Sequence, residues 1–258
     1  MKTEAPLGFI FVRTSIRKAI RRIFSFCRGR RANFSRCVGE SIIEEAIGDK
    51  VLAVEGIELG YCARPGEVDI RIIGEPDEVA RADAIIRDEL GFSIFSTNND
   101  TLEEVLVKLL AERKETIAVA ESCTGGSLAH RLTNVPGASE VFVAGYVAYA
   151  NAVKIDILNV DRKLIETHGA VSEPIARGMA EGARARARST YALATTGVAG
   201  PGGGSPDKPV GTAYVALASP DEDSIVRRLF FPTDRETFKD LVAQAAFDLL
   251  RKKLISDL

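Results

Sequence analysis

The chain has 258 residues, 46% of them hydrophobic and 27% charged, with a formal net charge of −2. That length suits one large domain or two modest ones and makes disulfide stapling unnecessary. The charge balance excludes both a uniformly basic nucleic-acid binder and an acidic disordered chain.

Residues 1–36 hold ten Lys or Arg against one acid, Glu4. Within this basic leader Ile16, Ile20, Ile23 and Phe24 recur at helical spacing among Arg17, Lys18, Arg21 and Arg22, so it is expected as a loosely ordered segment or a short amphipathic helix. The apolar stretch Leu7 to Val12 is too short for the core of a secretion signal. No apolar run approaches the ~20 residues of a membrane-crossing helix, so no span is expected.

Residues 37–97 read as a small α+β module. Ile42, Ile43, Ala46 and Ile47 mark a helix that is expected to stop at Gly48. Segments 57–63 and 68–73 flank Arg64-Pro65-Gly66-Glu67, with Pro and Gly where a type II turn wants them, and so predict a hairpin. Pro76 opens a further helix that ends before Gly91. The arrangement is KH-like but lacks the GxxG clamp that grips a nucleic-acid backbone, which favours a spacer or dimerisation role.

Residues 98–258 alternate helix and strand. Asp100 and Glu103 suit a capped helix with Leu102, Val105, Leu106, Leu109 and Leu110 on one face. Strands are expected at 116–120, 145–150, 191–195, 210–218 and 225–231, with helices from Ser127, near Asn151, Asp161 and Ser172, and from Asp234 to the end. The fold class is therefore α/β: a three-layer α/β/α sandwich with a mixed sheet, because the last two strands form a hairpin.

Four cysteines, Cys27, Cys37, Cys62 and Cys123, form no CxxC pair, which argues against a disulfide framework or thiolate zinc site and for a reducing, cytoplasmic setting. His130 and His168 are too few for a histidine-rich metal centre, so neither metal nor cofactor is expected. Three strand-end segments rich in Gly, Ser and Thr are expected to converge: the turn from Ala120 to Gly126, the turn Pro136-Gly137-Ala138-Ser139, and the loop Thr195 to Gly204. The first precedes a helix whose free amides favour an anion, although Ser122 could equally be only a cap. The third lacks the Walker lysine and GxGxxG spacing. A serine nucleophile needs a group to take its proton, and with both histidines poorly placed a buried lysine is the candidate. Tyr149 and Lys154, five apart across a strand-to-helix junction, can share one pocket.

The runs AESCTGG from Ala120, GYVAYANAVK ending at Lys154, HGAVSEP from His168 and GVAGPGGGSPDKPVGTAY from Gly197 together resemble the CinA C-terminal family, the nicotinamide-nucleotide amidases, over about residues 100–255. The resemblance implies hydrolysis of the carboxamide of nicotinamide mononucleotide to nicotinate mononucleotide and ammonia, in pyridine-nucleotide salvage, with no cofactor. It places the nucleophile on Ser139, the base on Lys154 and an assisting tyrosine on Tyr149. Substrate binding falls to Ser122, Thr124 and Gly125 in the first turn, Thr196, Gly197 and Gly200 around the glycine-rich loop, and Arg235 at the last helix. It also implies a homodimer. Family members commonly begin with a molybdopterin-binding-like domain, which is not expected within these 258 residues, so its pyrophosphatase activity is not carried over. Ala150 stands where a serine is common. The competing expectation is a non-catalytic competence- or damage-associated regulator that binds nucleic acid through the basic leader.

Overall fold

The computed structural model describes residues 8–15, 38–220 and 222–256. The expected leader helix at 16–24 lies outside them. The chain divides into two compact units between Thr101 and Leu102.

The first unit comprises strand β1 (Gly8–Ser15), helix α1 (Val38–Leu52), strands β2 (Glu58–Arg64) and β3 (Glu67–Gly74), helix α2 (Pro76–Leu90) and strand β4 (Ile94–Ser96). The four strands form one sheet in the order β2-β3-β1-β4, every neighbouring pair antiparallel. This corrects the reading of residues 8–15 as loosely ordered leader: they pair along their whole length with β3. The predicted hairpin is present, with Arg64 opposite Glu67 and Gly66 at φ +83, the left-handed value that a type II turn requires of its third residue. Helix α1 does not stop at Gly48. It continues for one more turn because Val51 extends the apolar row of Ile43 and Ile47 into the core that Val68, Ile70, Ile72, Val79, Ala82 and Ile86 complete.

The second unit contains helix α3 (Leu102–Arg113), strand β5 (Ile117–Glu121), helix α4 (Ser127–Thr133), strand β6 (Phe142–Val147), helices α5 (Asn151–Leu158), α6 (Arg162–His168) and α7 (Glu173–Ala187), strands β7 (Tyr191–Gly197), β8 (Thr212–Ala218) and β9 (Ile225–Phe230), and helix α8 (Arg235–Ser256). The sheet order is β6-β5-β7-β8-β9. Strands β6, β5 and β7 run parallel, and β8 and β9 are antiparallel, so the sheet is mixed and flanked by helices as its sequence pattern implies. Among the described residues no helix is long and apolar enough to cross a membrane.

The two faces of this sheet differ in side-chain size. Ala118 lies opposite Ala192, Ala120 opposite Ala194, Ala194 opposite Ala216, and Ala192 opposite Ala218, so alanines run in rows across three strands. They pack with Ile175, Ala176, Met179, Ala180 and Ala183 of α7. Small residues on both sides let the helix come close to the sheet. Helix α5 is held just as tightly: a Cβ on Gly182 of α7 would stand 1.9 Å from the carbonyl oxygen of Leu158, the last residue of α5. On the other side, Arg131 joins α3, α4 and α8 by donating to Glu103 and to Gln244 Oε1, both at 2.7 Å, while its guanidinium lies 4.9 Å from the Phe247 ring centroid.

Strand β6 ends at Val147, three residues before the expected boundary at Ala150. The reason is local: Ala148 and Tyr149 leave the sheet and turn their carbonyls towards Lys154. Helix α6 ends at His168, with Gly169 at φ +71 as its C-cap.

Candidate functional site

The parallel register brings the loops that follow β5, β6 and β7 side by side, since Glu121 is opposite both Val147 and Thr195. This is the carboxyl end of the strands, where open α/β sheets gather their ligands. The next residue, Ser122, donates its backbone N–H to Thr195 O at 3.0 Å.

Lys154 sits in the first turns of α5 and is 1% exposed, one of the largest fully buried side chains of the molecule. Its Nζ lies 2.8 Å from Ala148 O, 2.9 Å from Tyr149 O and 3.3 Å from Ser122 Oγ. Burial pushes its pKa below the ordinary lysine value, and the neighbouring Cys123 opposes that only in part. The contact set gives the amine a direction. A neutral amine has two N–H groups and one lone pair, and the two carbonyls can only accept. In that neutral form the lone pair would face the Ser122 hydroxyl, whereas the ammonium donates to that oxygen as it does to the two carbonyls.

The structure brings some expected site residues together and leaves others apart. Ser122 and Lys154 meet directly. Tyr149 is exposed, and its hydroxyl accepts from Arg235 at 3.2 Å, while another nitrogen of Arg235 donates to Gly200 O at 2.9 Å. Thr196 is buried and donates to Ala170 O, and Thr124 shares a 2.7 Å hydrogen bond with Thr195. Gly125 is exposed at φ +63 in the first turn, and Gly197 closes β7, where a Cβ would meet Thr212 O at 2.8 Å. Ser139 lies in a single 3-10 turn, Ala138–Glu140, after Gly137 at φ +85; its side chain is exposed and is not among the hydrogen-bond partners of Lys154.

Two expectations change. Ser122 is no helix cap, because α4 starts five residues later with Gly126 at the N-cap position. Nor are the amides at the start of α4 free for an anion. Glu121, fully buried at the end of β5, accepts from the N–H groups of Gly126 and Leu128 through Oε2 and of Ala129 through Oε1, at 2.9–3.1 Å. The carboxylate therefore fills the helix N-terminus with the protein's own charge. Sequence reasoning gave Glu121 no role. Its signal was there: an acid ends the otherwise apolar run Ile117-Ala118-Val119-Ala120, where a buried charge must have partners.

Cys123, buried beside this turn, is not a competing nucleophile. Burial pushes its thiol up to about 12, which keeps it protonated and inert. Among the described residues no three His, Cys, Asp or Glu side chains cluster as metal ligands would.

Residues 99–254, more than half the chain, match the family model described as the CinA C-terminal domain. The chain belongs to the CinA family. A CinA-like protein of Akkermansia muciniphila is 40% identical over 224 residues, covering 85% of this chain and 54% of that protein. A CinA-like protein of an Anaeromyxobacter species is 46% identical over 206 residues, 78% of this chain and 50% of its own length. The chain thus spans about half the length of these CinA relatives. Among solved structures, the competence/damage inducible protein CihA of Agrobacterium tumefaciens superposes with a TM-score of 0.57 at 35% identity, over 58% of this chain and 92% of that one. A CinA superfamily protein of Escherichia coli gives 0.56 at 34% identity, over 58% and 88%. CinA membership makes this a competence/damage-inducible family protein, and its shared fold is the second unit, which carries the site.

Proposed function

We propose that the second unit hydrolyses the carboxamide of nicotinamide mononucleotide to nicotinate mononucleotide and ammonia, with a serine nucleophile and Lys154 as the base. The observation that carries this reading is the enclosed amine of Lys154, lowered in pKa and bonded to a serine hydroxyl at the strand ends. A solvated lysine stays charged at neutral pH and cannot take a proton; a desolvated one can.

In the reaction a serine oxygen attacks the amide carbon and its proton passes to Lys154; the resemblance implies Ser139 as that serine, while Ser122 is the one in contact with the amine. The tetrahedral oxyanion collapses as Lys154 returns the proton to the leaving nitrogen, releasing ammonia and an acyl-enzyme. Water, deprotonated by the same amine, then frees the carboxylate. Arg235, bonded to Tyr149 and Gly200 O, supplies a guanidinium whose remaining donors suit the 5′-phosphate.

A second reading is favoured by one distance. Lys154 touches Ser122, not Ser139, so Ser122 is the alternative nucleophile. Release of ammonia from nicotinamide mononucleotide by Ser139→Ala and Ser122→Ala separates the two. Complete loss in Ser139→Ala with residual turnover in Ser122→Ala assigns attack to Ser139, and the reverse assigns it to Ser122. Undiminished release by both variants would falsify the serine mechanism. No turnover by the wild type, together with salt-dependent DNA binding lost when Arg28, Arg30 and Arg31 are replaced by Gln, would favour the regulatory reading.

A further inference from the structure

We infer that Lys239 is a second cation of the substrate site, gripping the phosphate of the mononucleotide beside Arg235 and setting the preference for phosphorylated over dephosphorylated pyridine nucleosides. The inference rests on the amidase reading above.

Three observations lead to it. Lys239 stands four residues after Arg235 in α8, so both side chains leave the same face of the helix one turn apart. Its ammonium reaches the turn that holds Ser122: Nζ lies 4.0 Å from the point where a Cβ on Gly125 would be. Gly125, exposed and left-handed, puts no side chain between that ammonium and the open face of the turn.

The second observation is that this charge is uncommitted. Lys239 is half-buried and makes no hydrogen bond or ion pair among the described residues, whereas Lys208, at the mouth of the glycine-rich loop, donates to His168 O. Glu236, one turn before it in α8, and Asp240, beside it, make no ion pair with it, and Asp234 Oδ1 is engaged by the N–H groups of Glu236 and Thr237 at 3.1 and 2.9 Å.

The third observation decides the chemistry. Helices α4, α5 and α8 begin at this end of the sheet, and the N-termini of α4 and α8 each hold a carboxylate of the protein itself, Glu121 and Asp234. Those carboxylates already hold amides of α4 and α8 that could have met an anion, which leaves more of that task to side-chain cations. Arg235 already spends donors on Gly200 O and the Tyr149 hydroxyl. A phosphate monoester carries close to two negative charges at neutral pH, and a guanidinium with an ammonium one helical turn away matches that charge better than the guanidinium alone.

The test compares nicotinamide mononucleotide with the same nucleoside lacking its phosphate, using the full chain. Lys239→Gln is expected to raise KM for the mononucleotide about tenfold, the loss of one charge-assisted contact, with kcat within about twofold and the nucleoside unaffected. Lys239→Arg should restore most of the affinity. Equal effects on both substrates, or none on either, overturn the proposal while leaving the amidase reading intact. Should the wild type hydrolyse neither compound, the amidase reading falls by itself, and the cation site is judged by calorimetric titration with inorganic phosphate. Weaker binding by Lys239→Gln than by the wild type then supports it, and equal or absent binding overturns it.

Discussion

The turn that leaves β5 and the loop that leaves β7 start from adjacent strands, and both are rich in glycine, yet they end in different physical states. In the turn, Glu121, Cys123 and Thr124 are buried, and a carboxylate ties three backbone amides to the strand below. In the loop, residues 201–207 are all exposed, and the chain is held by the contacts between Ser205 and Lys208 and by side chains that reach its carbonyls from outside, such as Arg228 to Asp207 O. Glycine content alone therefore says little about whether a strand-end loop is rigid. What separates the two is a buried charge with satisfied partners; the buried turn carries Ser122, which contacts Lys154, while the exposed loop adjoins Arg235.

The largest effect should come from removing the base of the buried half. Lys154→Met is expected to lower kcat for ammonia release by about 10²–10⁴-fold, the usual range for a general base, with KM little changed. Arg235→Gln, on the exposed half, should do the opposite, raising KM with a smaller change in kcat. Steady-state kinetics of the two variants would break the comparison if both moved KM alone.

A smaller effect is expected from making the turn resemble the loop. Glu121→Gln replaces an oxygen that accepts from buried amides by an NH2 group that cannot, leaving at least one donor unsatisfied at about 1–3 kcal/mol each. Urea unfolding should show a loss of about 2 kcal/mol, and turnover should fall because Ser122 is the residue next in the chain. Gly202→Ala is the matching change in the loop. A Cβ there meets nothing within 4 Å, so stability should stay within about 0.5 kcal/mol.

These contrasts also mark what could be read from the amino-acid order. The alternation of apolar strands with amphipathic helices carried the mixed sheet of the second unit, and Pro65-Gly66 carried the hairpin of the first, because both are local signals. Strand β1 was missed because its pairing is with β3, more than fifty residues away, and no local rule reaches so far. Gly48 was read as a stop because local propensity was weighed without Val51, whose burial outweighs the glycine's helix cost of about 1 kcal/mol. In the site, Lys154, Ser122, Tyr149 and Arg235 were all named, but their pairing was not. That Lys154 meets Ser122 follows from where β6 ends, and the exit of Ala148 and Tyr149 from the sheet is a tertiary event. Lys239 carried no signal at all, since nothing near it in the chain distinguishes it from a solvated helix lysine.

The smallest effect is one of pH, and it sharpens the contrast because the buried base has a lowered pKa. Lys154 has a folded pKa below its unfolded value, so between those two values the unfolded chain binds more protons than the native one. Stability of the wild type must therefore rise with pH across that window, by at most about 1.4 kcal/mol per unit, and become flat again above the ordinary lysine value. Lys154→Met lacks this term. The stability difference, wild type minus variant, should grow as pH rises from the lowered folded pKa towards the ordinary lysine value. The ascending limb of kcat/KM should fall in the same window, because the proton whose loss relieves the buried charge is the one whose absence makes the amine a base. A stability difference that is constant with pH, measured by urea unfolding alongside a pH-dependent rate, would assign the kinetic limb to some other group and leave Lys154 a structural ammonium held by two carbonyls.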